Sequence, residues 1–349
     1  MSLLLNTGPA RQVTDLADSR ENPFDSDAFS TNWRTYLSEK QDIQAFYPAG
    51  LVLNRLTFGK GLLDIRELRS SGSAIAWFQD FNAEKLKVFS EIHQNTRWDC
   101  LRLLWDSERA DLQCFSALED LGYKPVHAIV PPHYIVDLND GWDHYLKTRS
   151  RNVRSNLKRA ERSAELLKPE IVPFSGEDAV DRFFELLFEG HIRYWKSRTG
   201  VSYFEDPRER AFTLEWARAL HARNRLVLDA LMMDGQIANL GVSIRAGESL
   251  FCLFSLNMGI FTENSPGIIA LYRRIRQASD ASYRCLDLGF GSQHYKRQAA
   301  TRCVERYEML VPNPRSIRGQ IYVRALERRL SRFTEKYAEA HRVFTGREP

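Results

Sequence analysis

Apolar positions along the chain follow two rhythms. Short alternating or continuous runs bounded by Gly, Ser or Asn predict strands, and longer stretches with apolar residues three and four apart predict helices. In the first part this gives a short helix around Trp33 to Leu37 and strands at "GLVLNRLTF", "LLDIRELRS" and "SAIAWFQD". It then gives a helix at "AEKLKVFSEIHQ", a strand at "WDCLRLLWD", a helix at "ERADLQCFSALEDLGY" closed by Gly122, and two strands at "VHAIV" and "HYIVDL". Such alternation predicts a sheet covered by helices.

In "WDHYLKTRSRNVRSNLKRAERSAELL" the residues Leu146, Ser150, Val153, Leu157, Ala160, Ala164 and Leu167 recur at helical spacing, so one long amphipathic helix is expected, ended by Pro169. Its polar face carries Lys147, Arg149, Arg151, Arg154, Lys158, Arg159 and Arg162 against a single Glu161. That face is either a solvated connector between domains or an anion-binding surface.

The second half reads as a strand at "PEIVPF", helices at "EDAVDRFFELLFEGHIRYWKSR" and "RERAFTLEWARALHA", and strands at "RLVLDALMMD", "QIANLGVSIRA" and "SLFCLFSLN". Asp234-Gly235 between two of these runs signals a hairpin. A helix opened by Ser265-Pro266-Gly267, the strand "RCLDLG", a short helix through "QHYKRQAA" and the strand "CVERYEML" follow. Ser265 suits an N-cap and Pro266 the first helical position, while Gly267 puts no side chain beside the free N–H groups. This end is either a clean helix start or a cradle for a phosphate. The closing stretch is a helix whose Leu326, Leu330, Phe333 and Tyr337 form a packing stripe.

Composition narrows the class. The 349 residues suffice for two domains of about 150 each. With 43% hydrophobic and 27% charged residues the chain reads as globular, and no apolar run is long enough to span a bilayer. The start lacks a basic lead-in, so no secretory signal is expected and the cytoplasm is the expected location. Cys100, Cys114, Cys252, Cys285 and Cys303 are widely spaced, and the eight histidines contain no His-Glu-x-x-His, so neither a disulfide framework nor a metal is expected. Residues 289 to 292, "GFGS", lack the third glycine and long helix of a dinucleotide fingerprint, and there is no Gly-x-Ser-x-Gly or P-loop.

The motifs "RSRNVRSNLKRAER", "GHIRYW", "QIANL", "SPGIIALYRRI" and "LDLGFGSQHYKRQAA", taken in order, resemble those of CelD/BcsL-type acetyltransferases, a branch of the GNAT superfamily. The resemblance covers about residues 30 to 312 and is strongest from 147 onward. It implies an α/β (α+β) fold of two GNAT-like halves, each a mixed sheet flanked by helices, joined by the long basic helix. The expected division is a polar tail over 1–28, a first half over 29–145, the basic helix over 146–168, an acyl-CoA-binding half over 169–312 and a terminal helix over 313–349. The implied activity is transfer of an acyl group, acetyl first, from acyl-CoA to an amine or hydroxyl. The implied acceptor is a sugar, cell-envelope precursor or specialised metabolite. The implied cofactor contacts are a backbone N–H among Leu256, Asn257 and Met258 and the helix start at Ser265, Pro266, Gly267 and Ile268. The chain departs from the usual GNAT pyrophosphate loop by having "TENSPG" in place of a glycine-rich turn.

Direct acyl transfer needs a base, an oxyanion donor and an acid for the departing thiolate. Tyr295 matches the position of a GNAT tyrosine near the cofactor sulfur, and Lys296 matches the Tyr-Lys pair of the resembled motif. Asp287 lies within a strand and needs a partner, for which Lys296, Arg297 and His294 are the candidates; it is either half of a structural ion pair or a base. His191 shares the apolar face of Phe183, Phe184, Leu187 and Phe188, as a core histidine or a general base. Trp195 and Tyr203 are placed to line the acceptor pocket or to pack. Two rivals remain: a Fem-type transferase using aminoacyl-tRNA, with the basic helix as its phosphate-contact surface, and a non-catalytic binder of an acidic polymer or nucleic acid.

Overall fold

The computed structural model describes residues 27–38, 42–58, 63–70, 83–106, 112–176, 178–291 and 293–345. The expected tail up to residue 26 and the expected strand "SAIAWFQD" lie outside the described residues. In chain order the elements are α1 (Asp27–Leu37), β1 (Ile43–Phe46), β2 (Leu51–Phe58), β3 (Leu63–Ser70), α2 (Ala83–Ile92), β4 (Cys100–Asp106), α3 (Leu112–Asp120), β5 (Val126–Asp137), α4 (Gly141–Thr148), α5 (Arg151–Ala164) and β6 (Glu170–Pro173). They continue with α6 (Ala179–Thr199), α7 (Pro207–Ala222), β7 (Leu226–Met233), β8 (Gln236–Ala246), β9 (Ser249–Asn257), α8 (Pro266–Asp280), β10 (Cys285–Phe290), α9 (His294–Ala299), β11 (Arg302–Pro312) and α10 (Ile317–Thr345). The mixed α/β class and the element order from β6 to β11 are those expected from the hydrophobic rhythm.

Two compact units divide the chain. In the unit built mainly from the residues before Tyr134 and after Arg302, the strands run β1-β2-β3-β4-β11. They are antiparallel except for the parallel pair β3 and β4. Leu51, Leu68, Phe89, Trp98, Leu101 and Met309 form its core. The Tyr322 hydroxyl of α10 donates to the buried Glu67 carboxylate at 3.0 Å.

The other unit holds Tyr134–Gly289 and Gln293–Arg302, with strand order β10-β9-β8-β7-β6. The pairs are antiparallel except for β9 and β10, which are parallel. Ile269 and Ala270 of α8 pack on Leu231, Met233 and Ala238 together with Ala160 and Ala164 of α5. The hairpin turn at Asp234-Gly235 has both residues left-handed, the conformation this dipeptide favours.

The structure corrects three sequence expectations. "VHAIV" and "HYIVDL" are one strand, β5, because the φ fixed by Pro131 and Pro132 suits an extended chain and their carbonyls still accept bonds, Pro132 O from the Gly291 N–H. The long basic helix is two helices: Arg149 is extended, and Ser150 starts α5 afresh by accepting from the Val153 N–H at 3.3 Å. Arg149 and Arg154 also leave the solvated face expected of them. Arg149 donates to the Ala299 and Ala300 carbonyls, and Arg154 to those of Lys147 and Arg149.

Candidate active site

The site is built on a fork between β9 and β10. These strands pair at Cys285↔Ser249, Leu286↔Leu250 and Asp287↔Phe251, and the pairing goes no further among the described residues. At that point β9 carries an extra residue, Leu253, since Val242 pairs with Phe254 and Ser243 with Cys252. Bulges of this kind bend a strand and end its pairing. Beyond the bulge the Met258 N–H donates to the Ala238 carbonyl at 3.0 Å, which fixes the phase of the ladder. Asn257 and Asn239 are then a non-hydrogen-bonded pair, so the Asn257 N–H points away from β8 toward the fork. Of the three predicted backbone donors, Met258 is spent in the ladder, Leu256 shares its phase, and Asn257 faces the fork.

Side chains of β9 divide between two helices. Those of Leu256 and Met258 meet α6 at Gly190, where a Cβ would stand 3.0 Å from Leu256 Cδ2 and 3.2 Å from Met258 Sδ. Ser255 and Asn257 face the other way, toward α8. Arg274 of α8 lies across the strand row Asp229, Gly241, Ser255. Its Nε donates to Asp229 Oδ1 at 2.8 Å and its Nη1 to Ser255 Oγ at 3.0 Å. A side chain on Gly241 would overlap the guanidinium. This buried pair fixes α8 on the sheet.

The start of α8 differs from the expectation for Ser265. The residue stands at the N-cap position but is left-handed, at φ 54 and ψ 52, and its side chain makes no capping bond. That backbone turns the hydroxyl away from the first-turn N–H groups, while Pro266 does open the helix. Beside Gly267 stands Asn257. Its Oδ1 accepts from Asn239 Nδ2 at 2.8 Å, which leaves its Nδ2 toward the helix start, 2.9 Å from where a Gly267 Cβ would be. The approach to α8 is tied down by Asn264 Nδ2, which donates to the Ser163 carbonyl at 2.6 Å.

The end of β10 and the start of α9 bring Asp287, Lys296, Tyr295 and Cys252 together. Asp287 is 2% exposed, and its Oδ1 accepts from the Gly289 N–H at 2.7 Å. Oδ1 is thus held by this backbone group, and the Lys296 charge stands beside the carboxylate. Arg297 and His294 bond each other at 3.2 Å. Gly289 has φ 74, a backbone that favours glycine, and a Cβ there would stand at ordinary contact distance, 3.6 Å, from both Lys296 Nζ and the Cys252 carbonyl oxygen, so the lysine reaches into the fork beside it. Burial lowers the Lys296 ammonium below the ordinary lysine value, while Cys252 and Asp287 act to raise it. Burial, then Cys252 and Tyr194, pushes the Tyr295 hydroxyl up to about 12. The short helix α9 is held by Tyr145, whose hydroxyl donates to the Ala299 carbonyl at 2.8 Å, and by Arg149.

His191 forms a second group on the α6 side of β9. It is 6% exposed, and its Nδ1 lies 2.9 Å from Ser202 Oγ, which also accepts from the Phe204 N–H. With the Ser202 hydroxyl donating to Nδ1 the ring proton sits on Nε2, and with Nδ1–H donating to Ser202 Oγ the Nε2 is an acceptor. Burial lowers His191 to about 4, so the ring is neutral at ordinary pH. Rings of Tyr203, Phe204, Trp195 and Phe254 surround it at centroid distances of 4.6 to 6.5 Å. Burial, then Glu209, raises the Tyr203 hydroxyl. Trp195 and Tyr295 are each 38% exposed, within reach of a substrate.

The structure therefore brings Asp287, Tyr295 and Lys296 together at the fork and sets His191, Trp195 and Tyr203 across β9 from the face that carries Asn257. Tyr194 of α6 acts on Tyr295 and links the two groups. Sequence reasoning missed Cys252, Ser202, Asn239 and the Arg274–Asp229 pair. Gly241 alone left a signal, since an isolated strand glycine marks a close approach. No group of three or more His, Cys, Asp or Glu side chains among the described residues could hold a metal ion.

Comparison with known proteins adds a domain match. The acetyltransferase (GNAT) domain profile matches residues 151–297. A search of curated proteins finds no match. A conserved protein of unknown function from Bacteroides thetaiotaomicron is similar in structure at 12% identity and a TM-score of 0.50, over 84% of this chain and 92% of that one. FemX is similar at 11% identity and a TM-score of 0.47, over 74% of this chain and 84% of that one. L-PGS from Bacillus licheniformis is similar at 12% identity and a TM-score of 0.48, over 85% and 96%. The sequence match makes residues 151–297 similar to an acetyltransferase (GNAT) domain and supports an acyltransferase.

Proposed function

We propose that the protein is an acyl-CoA-dependent N- or O-acyltransferase of the CelD/BcsL type, with acetyl-CoA as donor and residues 169–312 as the half that binds it. The acceptor is a sugar, envelope precursor or specialised metabolite carrying an amine or hydroxyl. The observation that carries this reading is the β9/β10 fork, with the Asn257 N–H aimed into it and Lys296 reaching into it. The residues present fit acyl-CoA: an inward N–H on β9, a lysine beside it, and the Gly267 N–H at the start of α8, ahead of the Ile268 and Ile269 N–H groups that donate to the Ser265 carbonyl.

When bound, acyl-CoA supplies an acyl group activated as a thioester. The Asn257 N–H serves the acyl carbonyl oxygen, where negative charge develops. The Lys296 ammonium lies in a desolvated place where its charge stabilises anionic oxygen or sulfur more than it would in water. Tyr295 keeps its proton throughout the ordinary pH range and passes it to the departing thiolate, and the proton that the attacking amine or hydroxyl loses to solvent restores the tyrosine. The start of α8, with Gly267, Ile268 and the Asn257 carboxamide, binds the diphosphate. The neutral His191 donates Nε2–H to the acceptor and orients it, and Trp195 and Tyr203 wall the acceptor's side.

The test is release of CoA thiol from acetyl-CoA in the presence of amine and hydroxyl acceptors. Lys296→Ala and Tyr295→Phe should each lower kcat by about a hundredfold with little change in KM. The alkaline limb of the pH profile should fall below the ordinary lysine range and move upward in Lys296→Arg. Full turnover in both variants contradicts the assignment.

A further inference from the structure

The basic stretch of α5 is unused by the reaction. Val153, Leu157, Ala160 and Ala164 seat the helix inward, and Glu161 is engaged by Arg273 at 2.8 Å. Arg149 and Arg154 are turned to backbone carbonyls. Outward remain Arg151, Lys158, Arg159 and Arg162, all exposed, with Lys147 before them and Lys168 after them. Arg159 donates to the neutral Asn156 of its own helix at 2.9 Å. Glu165 is the exposed acid of the next turn.

Leu166 follows at the end of this face and is 94% exposed. It continues the helical row of Arg159 and Arg162, so an apolar side chain stands in water at the edge of a cationic surface. A soluble surface gains nothing from that pairing. At a lipid interface cations meet headgroup phosphates while an apolar side chain enters the acyl boundary.

We propose that the outer face of α5, with Leu166, docks the protein on an anionic membrane surface. No described helix is long and apolar enough to cross a membrane, so the attachment is peripheral. RNA would use the same cations, but it has no use for Leu166, and the face offers no aromatic ring for base stacking. The α5 end that carries this surface is bonded to the approach to α8 through Ser163 and Asn264, which sets the acyltransferase site beside the bilayer. Docking can be read without turnover, so its failure and that of the acyl-CoA reading are separable.

The experiment is co-sedimentation of the full chain with phosphatidylcholine vesicles, with and without phosphatidylglycerol, and with tRNA in parallel. Binding is expected only with phosphatidylglycerol and should vanish near 1 M salt, where screening extends to about 3 Å. Arg159→Gln with Arg162→Gln should weaken partitioning by about thirtyfold, and Leu166→Ser by about tenfold. The double Arg→Lys variant should retain it. These exposed changes should leave thermal unfolding of the protein unaltered. No binding to phosphatidylglycerol vesicles, binding indifferent to Leu166 and to the charge variants, or binding of tRNA in place of vesicles overturns the proposal.

Discussion

His191 shows how burial settles a side chain that spacing leaves open. Its place on the face of Leu187 and Phe188 fitted either a core histidine or a base. Seated among Tyr203, Phe204 and Phe254, it holds its proton only below about 4, against 6.5 for a free imidazole. A ring so reluctant to charge is a better hydrogen-bond donor than proton store. Between these two values the unfolded chain binds a proton that the folded ring refuses. Stability is therefore complete above pH 6.5 and falls as pH drops toward 4, by at most about 3 kcal/mol. Urea unfolding followed from neutral pH down to pH 4 should show this loss, and His191→Gln, which does not titrate, should remove it. The same acid sensitivity in the variant would place its source elsewhere.

At the scale of elements, α8 is the piece on which the site depends, and a single buried pair sets it. Arg274 crosses over Gly241 to reach Asp229 and Ser255, so adding one methyl group at Gly241 forces the guanidinium aside and strands a buried carboxylate. Gly241→Ala should cost about 3 kcal/mol, read as a lowered Tm. An unchanged Tm would mean that Arg274 is not held there. The strand and helix order from β6 to β11 was legible because period and turn chemistry are local, as at Asp234-Gly235. The Arg274 crossing was not, since it arises from a register that aligns Asp229, Gly241 and Ser255 on three strands. The break between α4 and α5 was hidden because Leu146 and Val153 keep helical spacing across it, while Ser150, counted into the apolar stripe, serves as a cap. Ser265 misled in the opposite sense: its residue type suits a cap and its backbone forbids one. Asp287, Tyr295 and Lys296 were readable as a group because they lie close in sequence. Cys252 joins them only through the sheet, as Asn239 does Asn257.

For the molecule as a whole, two units are present, and the matched residues 151–297 fall, apart from 290–292, in the one that holds Tyr134–Gly289 and Gln293–Arg302. The sequence match and the site geometry concern the same strands, and this agreement supports an acyl-CoA donor. The central claim is that the diphosphate of that donor lies at the start of α8, where Gly267 leaves room beside Asn257. The most direct measurement is calorimetric titration of acetyl-CoA into the native chain and into Gly267→Val. The native chain should bind in the micromolar range, and the variant, whose Cβ alone would stand 2.9 Å from Asn257 Nδ2, should bind at least about tenfold more weakly with its fold retained. Equal binding by both proteins, or binding of aminoacyl-tRNA with none of acetyl-CoA, would contradict the account.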